Sequence, residues 1–278
     1  IKIGDYVAYT PAGDTSYTVD GTYSGIYNGT DQVINKENLN WRVLDKTEDG
    51  RVRLISAAPT NATVKLQGAN GYNNAVYLLD ELCNTLYKGE NATAQNLKIE
   101  DIQNKMNLSY WDFNNATYYG ETYSPTYRDY PLIFAEEKEH IIDGKTGTLG
   151  ISEQKSLITE TNTASTWTVK WTEWNNNMNV SNYTSKIYYE LYHNGIKDVY
   201  WLSSRCVRAN MAGAVSFHIR QVDKSNIQGQ SLYYSRENLQ NEGIACIRPV
   251  ILLDSNVQID TSVEGKDGKT PETAYVIK

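Results

Sequence analysis

Apolar residues recur along this chain with two different periods, and the change of period marks where strands give way to helices. Near the N-terminus, Tyr6-Val7-Ala8-Tyr9 precedes the turn signal Pro11-Ala12-Gly13-Asp14. Trp41-Arg42-Val43-Leu44 and Val52-Arg53-Leu54-Ile55 flank Glu48-Asp49-Gly50, which predicts a hairpin closed by an Asp-Gly turn. From Asn74 to Gly89 the period lengthens: Ala75, Leu79, Leu82, Cys83 and Leu86 fall at three- and four-residue intervals, so a helix is expected there. Asn74 reads as its N-cap and Gly89 as its stop. Ile99, Ile102 and Met106 predict a shorter second helix, and a third is expected over Ser152–Ile158.

Periodicity fades through the middle, about residues 109–199, where Tyr, Thr and Asn dominate. Trp111, Trp167, Trp171 and Trp174 argue for an irregular but ordered region, because disordered segments are poor in aromatics. No Gly/Ser- or Pro-rich linker separates this region from the rest, so residues 1–278 are expected to form a single domain.

Strand patterns return in the last third. Tyr200-Trp201-Leu202 is one, and Ile247-Arg248-Pro249-Val250-Ile251-Leu252-Leu253 reads as a buried one. Ala274-Tyr275-Val276-Ile277 closes the chain. Between the first two, Val207, Phe217, Ile219, Val222, Ile227 and Leu232 act as spaced apolar anchors. The residues among them have unrelated chemistry: Arg208, Asn210, Met211, Ala212, Gly213, Ser216, His218, Gln221, Asp223, Gln228, Gln230, Tyr234 and Arg236. Period-two alternation sends Phe217 and Ile219 inward and predicts that Ser216 and His218 face out. An ordinary amphipathic sheet edge with loops would give the same spacing. Strands at both ends with helices early in the sequence predict an α+β architecture, with the two termini neighbours in a shared sheet.

Composition narrows the partners. Hydrophobic residues make up 40% and charged residues 21%, within the range of a folded globular protein. A net charge of −7 with no run of five basic residues argues against a nucleic-acid partner, since phosphate binding needs a basic patch. The 22 Tyr against 3 Phe, amid abundant Ser, Asn and Gly, fit an evolved binding surface, where Tyr supplies rigid area with a polar tip. A β-rich protein whose strands favour Tyr and Thr has the same bias. No apolar stretch is long enough to span a membrane. The chain opens at Ile1 without Met, so further sequence upstream, including an anchor, is expected. Sequons at Asn28, Asn61, Asn91, Asn107, Asn115, Asn179 and Asn182 are chance expectations in so Asn/Thr-rich a chain.

Catalytic chemistry finds little support. The histidines, His140, His193 and His218, form no H-x-x-x-H or H-E-x-x-H pattern, and no G-x-S-x-G elbow, P-loop or G-x-G-x-x-G occurs. Glu136-Glu137-Lys138-Glu139 reads as a solvated surface. Neither Asp45 to Asp49 nor Asp267-Gly268 completes a calcium loop. Cys83, Cys206 and Cys246 lack C-x-x-C spacing, so a zinc or thioredoxin-like site is not expected. An odd count leaves at most one bridge. If the protein is extracellular, Cys83–Cys206 is the preferred pair with Cys246 free; otherwise all three are buried thiols.

Several segments together resemble a known family. Trp41-Arg42-Val43-Leu44, Leu54-Ile55-Ser56, Gly71-Tyr72-Asn73-Asn74, Ile99-Glu100-Asp101-Ile102, Tyr200-Trp201-Leu202-Ser203-Ser204-Arg205-Cys206-Val207 and Ile247-Arg248-Pro249-Val250 carry the likeness. In that order they resemble surface proteins of clostridia-like gut bacteria, several of which have a prepilin-type N-terminal helix. The C-terminal part is similar to the C-type-lectin-like fold shared by formylglycine-generating enzymes and the variable proteins of diversity-generating retroelements.

The resemblance implies short helices around a central antiparallel sheet, with residues 206–246 as a diversified segment on a stable scaffold. It implies no cofactor and no metal. The function it implies is that of an adhesin-type protein at the cell surface or on a pilus. Its partner would be a macromolecular ligand, protein or glycan, on another cell, with pilus subunits as further neighbours. Alternatives are a phage tail-tip receptor-binding protein and a formylglycine-generating-type enzyme using Cys206 and Cys246. The calcium-dependent sugar motifs of true lectins are absent. Within this frame Trp201 is expected in the core, Arg205 and Arg248 as buried scaffold cations, and His218 and Met211 as contacts on the outer side.

Overall fold

The computed structural model describes residues 1–107, 118–122, 141–142, 145–146, 152–159, 166–170, 176–193, 196–209, 215–234 and 239–278. The fold is α+β, mostly sheet with a few helices. The first half holds β1 (Tyr6–Ala8), β2 (Ser16–Val19), β3 (Gln32–Asn35), β4 (Trp41–Lys46), β5 (Val52–Ser56) and β6 (Thr63–Gln67). These lead into helix α1 (Gly68–Tyr87), β7 (Ala92–Asn96) and helix α2 (Ile99–Gln103). In the middle are the short strands β8 (Tyr118–Thr122), β9 (Ile141–Ile142), β10 (Lys145–Thr146), β11 (Thr166–Lys170) and β12 (Asn176–Asn177), then helix α3 (Lys186–His193). The rest is β13 (Tyr200–Ala209), β14 (Val215–Val222), β15 (Asn226–Tyr234), β16 (Leu239–Gln240), β17 (Glu242–Cys246), β18 (Pro249–Leu253), β19 (Ile259–Asp260) and β20 (Tyr275–Ile277).

Two seven-stranded sheets dominate. The first runs β19-β20-β1-β4-β5-β18-β7, and in it β1 pairs in parallel with β20, so the two ends of the chain are neighbours as expected. The predicted hairpin is β4–β5, turning through Gly50 at φ 85°, a left-handed conformation that favours glycine. The second sheet carries the path β12-β15-β14-β13-β17-β6, with β16 on β15. Its centre is the antiparallel meander β13–β14–β15.

Helix α1 packs against this meander and buries Leu78, Leu79, Leu82 and Leu86 in one apolar cluster with Trp41, Trp201, Phe217, Ile219 and Ile251. A second cluster gathers Leu44, Ile55, Ile99, Ile102, Tyr192, Tyr200, Leu202, Val222, Ile227 and Val250. Along β13, Tyr200 and Leu202 enter the second cluster while Trp201 enters the first. Strand alternation here therefore separates two interiors. Trp201 is fully buried as expected, with its indole Nε1 donating to Val64 O at 2.8 Å.

Two helix expectations need correction. α1 begins at Gly68, six residues before Asn74, so Asn74 is a buried interior position and caps nothing. Residues 68–73 are poor in helix formers and include two glycines, which hides the true start. Packing overrides this: a side chain on Gly71 would meet Ser24 O at 2.7 Å, so only glycine lets this turn sit against the chain near Ser24. The helix expected over Ser152–Ile158 is absent; residues 152–159 carry no helix or strand. About half of the irregular middle, 109–199, lies outside the described residues, as do Trp111, Trp171, Trp174 and Glu136-Glu137-Lys138-Glu139.

An irregularity in β13 joins the two sheets. Between the pairs Trp201–Gln221 and Arg205–Ile219, four steps of β13 oppose two of β14. This bulge turns backbone groups out of the ladder, toward the end of β7. Ser203 N donates to Leu97 O at 2.9 Å, and Asn96 Nδ2 donates to Trp201 O at 2.9 Å. On the other side Arg248 N donates to Asn96 Oδ1 at 2.8 Å and Leu97 N to Arg248 O at 3.0 Å. Asn96→Leu would leave Trp201 O and Arg248 N buried without partners. At about 1–3 kcal/mol for each group, it should cost on the order of 3 kcal/mol in chemical denaturation. A loss below about 0.5 kcal/mol would show that the junction does not depend on this amide.

Candidate functional site

The thirteen residues expected to meet a ligand divide along the meander. At one end, strand register aligns Arg208 with Ser216 and Ser216 with Tyr234, giving a row across β13, β14 and β15. Ser216 and Tyr234 are partly exposed. Residues 210–214 join β13 to β14 here, and residues 235–238 join β15 to β16. Asn210, Met211, Ala212, Gly213 and Arg236 belong to those joining segments and lie outside the described residues, as does the side chain of Arg208.

At the opposite end of β14 lie Gln221, Asp223 and Gln228, with Gln221 paired to Gln228. Seven residues separate Ser216 from Asp223, a span of roughly 20 Å or more in an extended strand. The Asp223 carboxylate accepts from Ser225 N at 2.8 Å and Asn226 N at 2.7 Å, so it closes the β14–β15 turn. Gln230 packs near Trp201: a side chain on Gly243 would strike both Gln230 Cγ and the Trp201 ring.

His218 does not face solvent, contrary to the alternation expected of β14, and Gln221, on the face of Phe217 and Ile219, is also buried rather than free to meet a ligand. They are 4% and 7% exposed, and the neighbouring Arg220 is fully buried. Phe217 and Ile219 are buried on the other face, as expected. Alternation tells one face of a strand from the other, but solvent reaches one of them only if the sheet is covered on a single side. β14 is a central strand with interiors on both sides. His218 Nδ1 lies 3.3 Å from Gly229 O, inside the sheet.

The preferred disulfide is also absent. Cys83, Cys206 and Cys246 are all buried free thiols. Cys83 Sγ lies 3.9 Å from Asn96 Oδ1, and burial holds its pKa well above the ordinary thiol value. Burial, then Asp198 and Glu37, push Cys246 up to about 11, which disfavours a reactive thiolate. Cys246 pairs with Tyr200, whereas Cys206 pairs with His218, four residues along β14 from the partner of Tyr200 and more than about 10 Å away. That separation does not make a copper pair. Among the described residues, no three His, Cys, Asp or Glu side chains converge to hold a metal ion. A cleft of about 270 Å³ beside Cys246, lined by Leu39, Ala57, Pro59, Lys197 and Asp198, is at the opposite end of β13 from Arg208.

Buried cations behave as the sequence suggests. Arg248 donates to Tyr192 O, Ser56 O and Ala57 O and lies 5.1 Å from the Tyr200 ring centroid. Arg205 donates to Gln154 Oε1 and Glu153 O. Two polar constellations were not anticipated. One links Ser204 Oγ to Ser152 Oγ at 2.6 Å, and Ser152 Oγ donates to Glu100 Oε2 at 2.6 Å. Burial raises the pKa of Glu100, partly opposed by the Ser152 hydroxyl. The other is Tyr183–His193: the phenol lies 2.6 Å from Nε2 while Nδ1 faces Asp223 O at 2.9 Å. With Nδ1–H donating to the carbonyl and Nε2 accepting from the phenol, a neutral imidazole satisfies both contacts. Partners 10 to 52 residues apart leave no local signal for either.

Searches of family models, curated proteins and solved structures give no match to this chain.

Two solution measurements follow from these contacts. Reductant should leave the thermal midpoint unchanged, and all three thiols should react with a thiol reagent only after unfolding; a fall in midpoint on reduction would restore the bridge. For His193, burial first, with the Arg248 charge adding to it, depresses the folded pKa to about 4, despite the opposing hydrogen bond to Asp223. The unfolded chain takes up the proton near 6.5, so the neutral-His contribution is complete above that pH and is lost progressively down to about 4. Relative to His193→Gln, the native chain should lose roughly 3 kcal/mol between pH 7 and pH 4. Parallel pH profiles for the two proteins would contradict this assignment.

Proposed function

We propose that this chain is an extracellular ligand-binding protein on a C-type-lectin-like scaffold, and that its contact surface is the Arg208–Ser216–Tyr234 end of the meander. The supporting order is strands, helix α1, the short helix α2, a three-stranded antiparallel meander, and a return to the sheet that holds both chain ends. The single observation that carries the choice of end is the register. It sets an arginine, a serine and a tyrosine at neighbouring positions where β13 ends, β14 begins and β15 ends. Arg and Tyr are the anchors that dominate evolved contact surfaces, and small polar residues adapt around them. Behind this row residues 217–222 of β14 are buried on both faces, so variation in ligand chemistry is assigned to the strand ends.

The function proposed is adhesion or recognition, with display on a cell surface or pilus and a protein or glycan of another cell as ligand. No cofactor is invoked, and the chain is read as a binder without catalytic activity. The net charge of −7 argues against nucleic acid as that ligand.

The full chain should be screened against glycan and cell-surface-protein arrays, and the strongest ligand titrated against wild type and an Arg208→Ala/Tyr234→Ala variant. The expected result is at least a tenfold loss of affinity in the variant with a thermal midpoint within about 3 °C of wild type. Unchanged affinity would remove this end of the sheet as the contact surface.

A further inference from the structure

Residues 152–158, Ser-Glu-Gln-Lys-Ser-Leu-Ile, cross the scaffold without helix or strand and are held by polar side chains from three elements. Asn74 of α1 reads the backbone of Ile158 twice: its Oδ1 accepts from Ile158 N at 2.6 Å and its Nδ2 donates to Ile158 O at 3.2 Å. It stands in for a neighbouring strand, taking one donor and one acceptor from a single residue. Arg205 of β13 donates to Glu153 O at 3.3 Å and to the Gln154 side chain at 3.1 Å. Lys98, just before α2, donates to Ser152 O at 3.3 Å, and Glu100 and Ser204 both engage the Ser152 hydroxyl.

The grip is polar, and it falls on backbone groups and two side chains. Asn74, Ser204 and Arg205 are fully buried, so their positions are set by the scaffold. Within the segment only Ser152 is buried, and Leu157 is the partly buried residue packed on the core. Little apolar area therefore opposes release, which sets this segment apart from the strands and helices around it.

We propose that the groove between α1, α2 and β13 is a recognition site for an extended peptide with serine, glutamine two residues later and an aliphatic residue five after the serine, and that residues 152–158 fill it in cis. A partner segment of that pattern would bind by displacing the chain's own. The site is separate from the proposed ligand-binding end and does not depend on it.

A fluorescein-labelled peptide, Ile-Ser-Glu-Gln-Lys-Ser-Leu-Ile, should be titrated by fluorescence anisotropy with the full-length wild-type chain and with a Ser152→Ala/Gln154→Ala variant, whose own segment is weakened. The variant is expected to bind at least tenfold more tightly than wild type. Alanine at the peptide's own first serine or its glutamine should cost at least tenfold. Hydrogen exchange on wild type tests the same idea without relying on how the variant folds. Excess peptide should speed exchange of the Ile158 amide, and a scrambled peptide should not. Equal binding of the scrambled sequence, or neither binding nor accelerated exchange, overturns the proposal.

Discussion

Hydrogen bonds join the two sheets where the bulge of β13 turns its backbone toward the end of β7. Asn96 and Leu97 stand between Trp201–Ser203 on one side and Arg248 on the other, and each makes one hydrogen bond to either side, donating one and accepting the other. Buried backbone groups must find partners, so a strand that leaves its ladder has to be met by another element. Here the same amide that meets β13 also holds the start of β18. The position of the meander relative to the terminal sheet is thereby fixed, and with it which faces of β14 are covered.

Coverage on both faces shapes what this molecule offers to a partner. A sheet with one wet face can display side chains along its strands, but a sheet between two interiors can display them only at its ends. Arg208, Ser216 and Tyr234 stand at such an end, whereas His218, Arg220 and Gln221 are enclosed. Among the enclosed polar groups, Arg248 rests on carbonyl oxygens and a tyrosine ring. Charges do meet charges near α2: Arg53 bridges Asp45 and Asp101, and Lys105 joins Asp45. Burial would raise Asp45, but hydrogen bonds from Arg53 and Lys105 more than offset it and hold its pKa below the usual range. This cluster ties β4 and β5 to α2 and gives no opening to a ligand.

The sequence alone determined the local elements wherever one physical signal was enough. Val52 to Ile55, the Asp-Gly turn, the Leu79–Leu86 period and the run Val250 to Leu253 each follow from side-chain spacing and turn chemistry, and each lies where its pattern puts it. It also determined that Trp201 is core, because an indole among apolar neighbours has nowhere better to go.

Only the tertiary structure decided which positions meet solvent and which distant residues meet each other. Period-two spacing placed Phe217 and His218 on opposite faces correctly, yet could not say that both faces are buried, because burial depends on what the rest of the chain lays over them. Cys83 and Cys206 looked pairable by count, and folding left each a buried free thiol. Asn74 looked like a helix cap, and packing at Gly71 extended the helix past it and left its amide to grip Ile158. Each of these outcomes turns on contacts between residues tens to more than a hundred positions apart, and spacing along the chain carries no record of them.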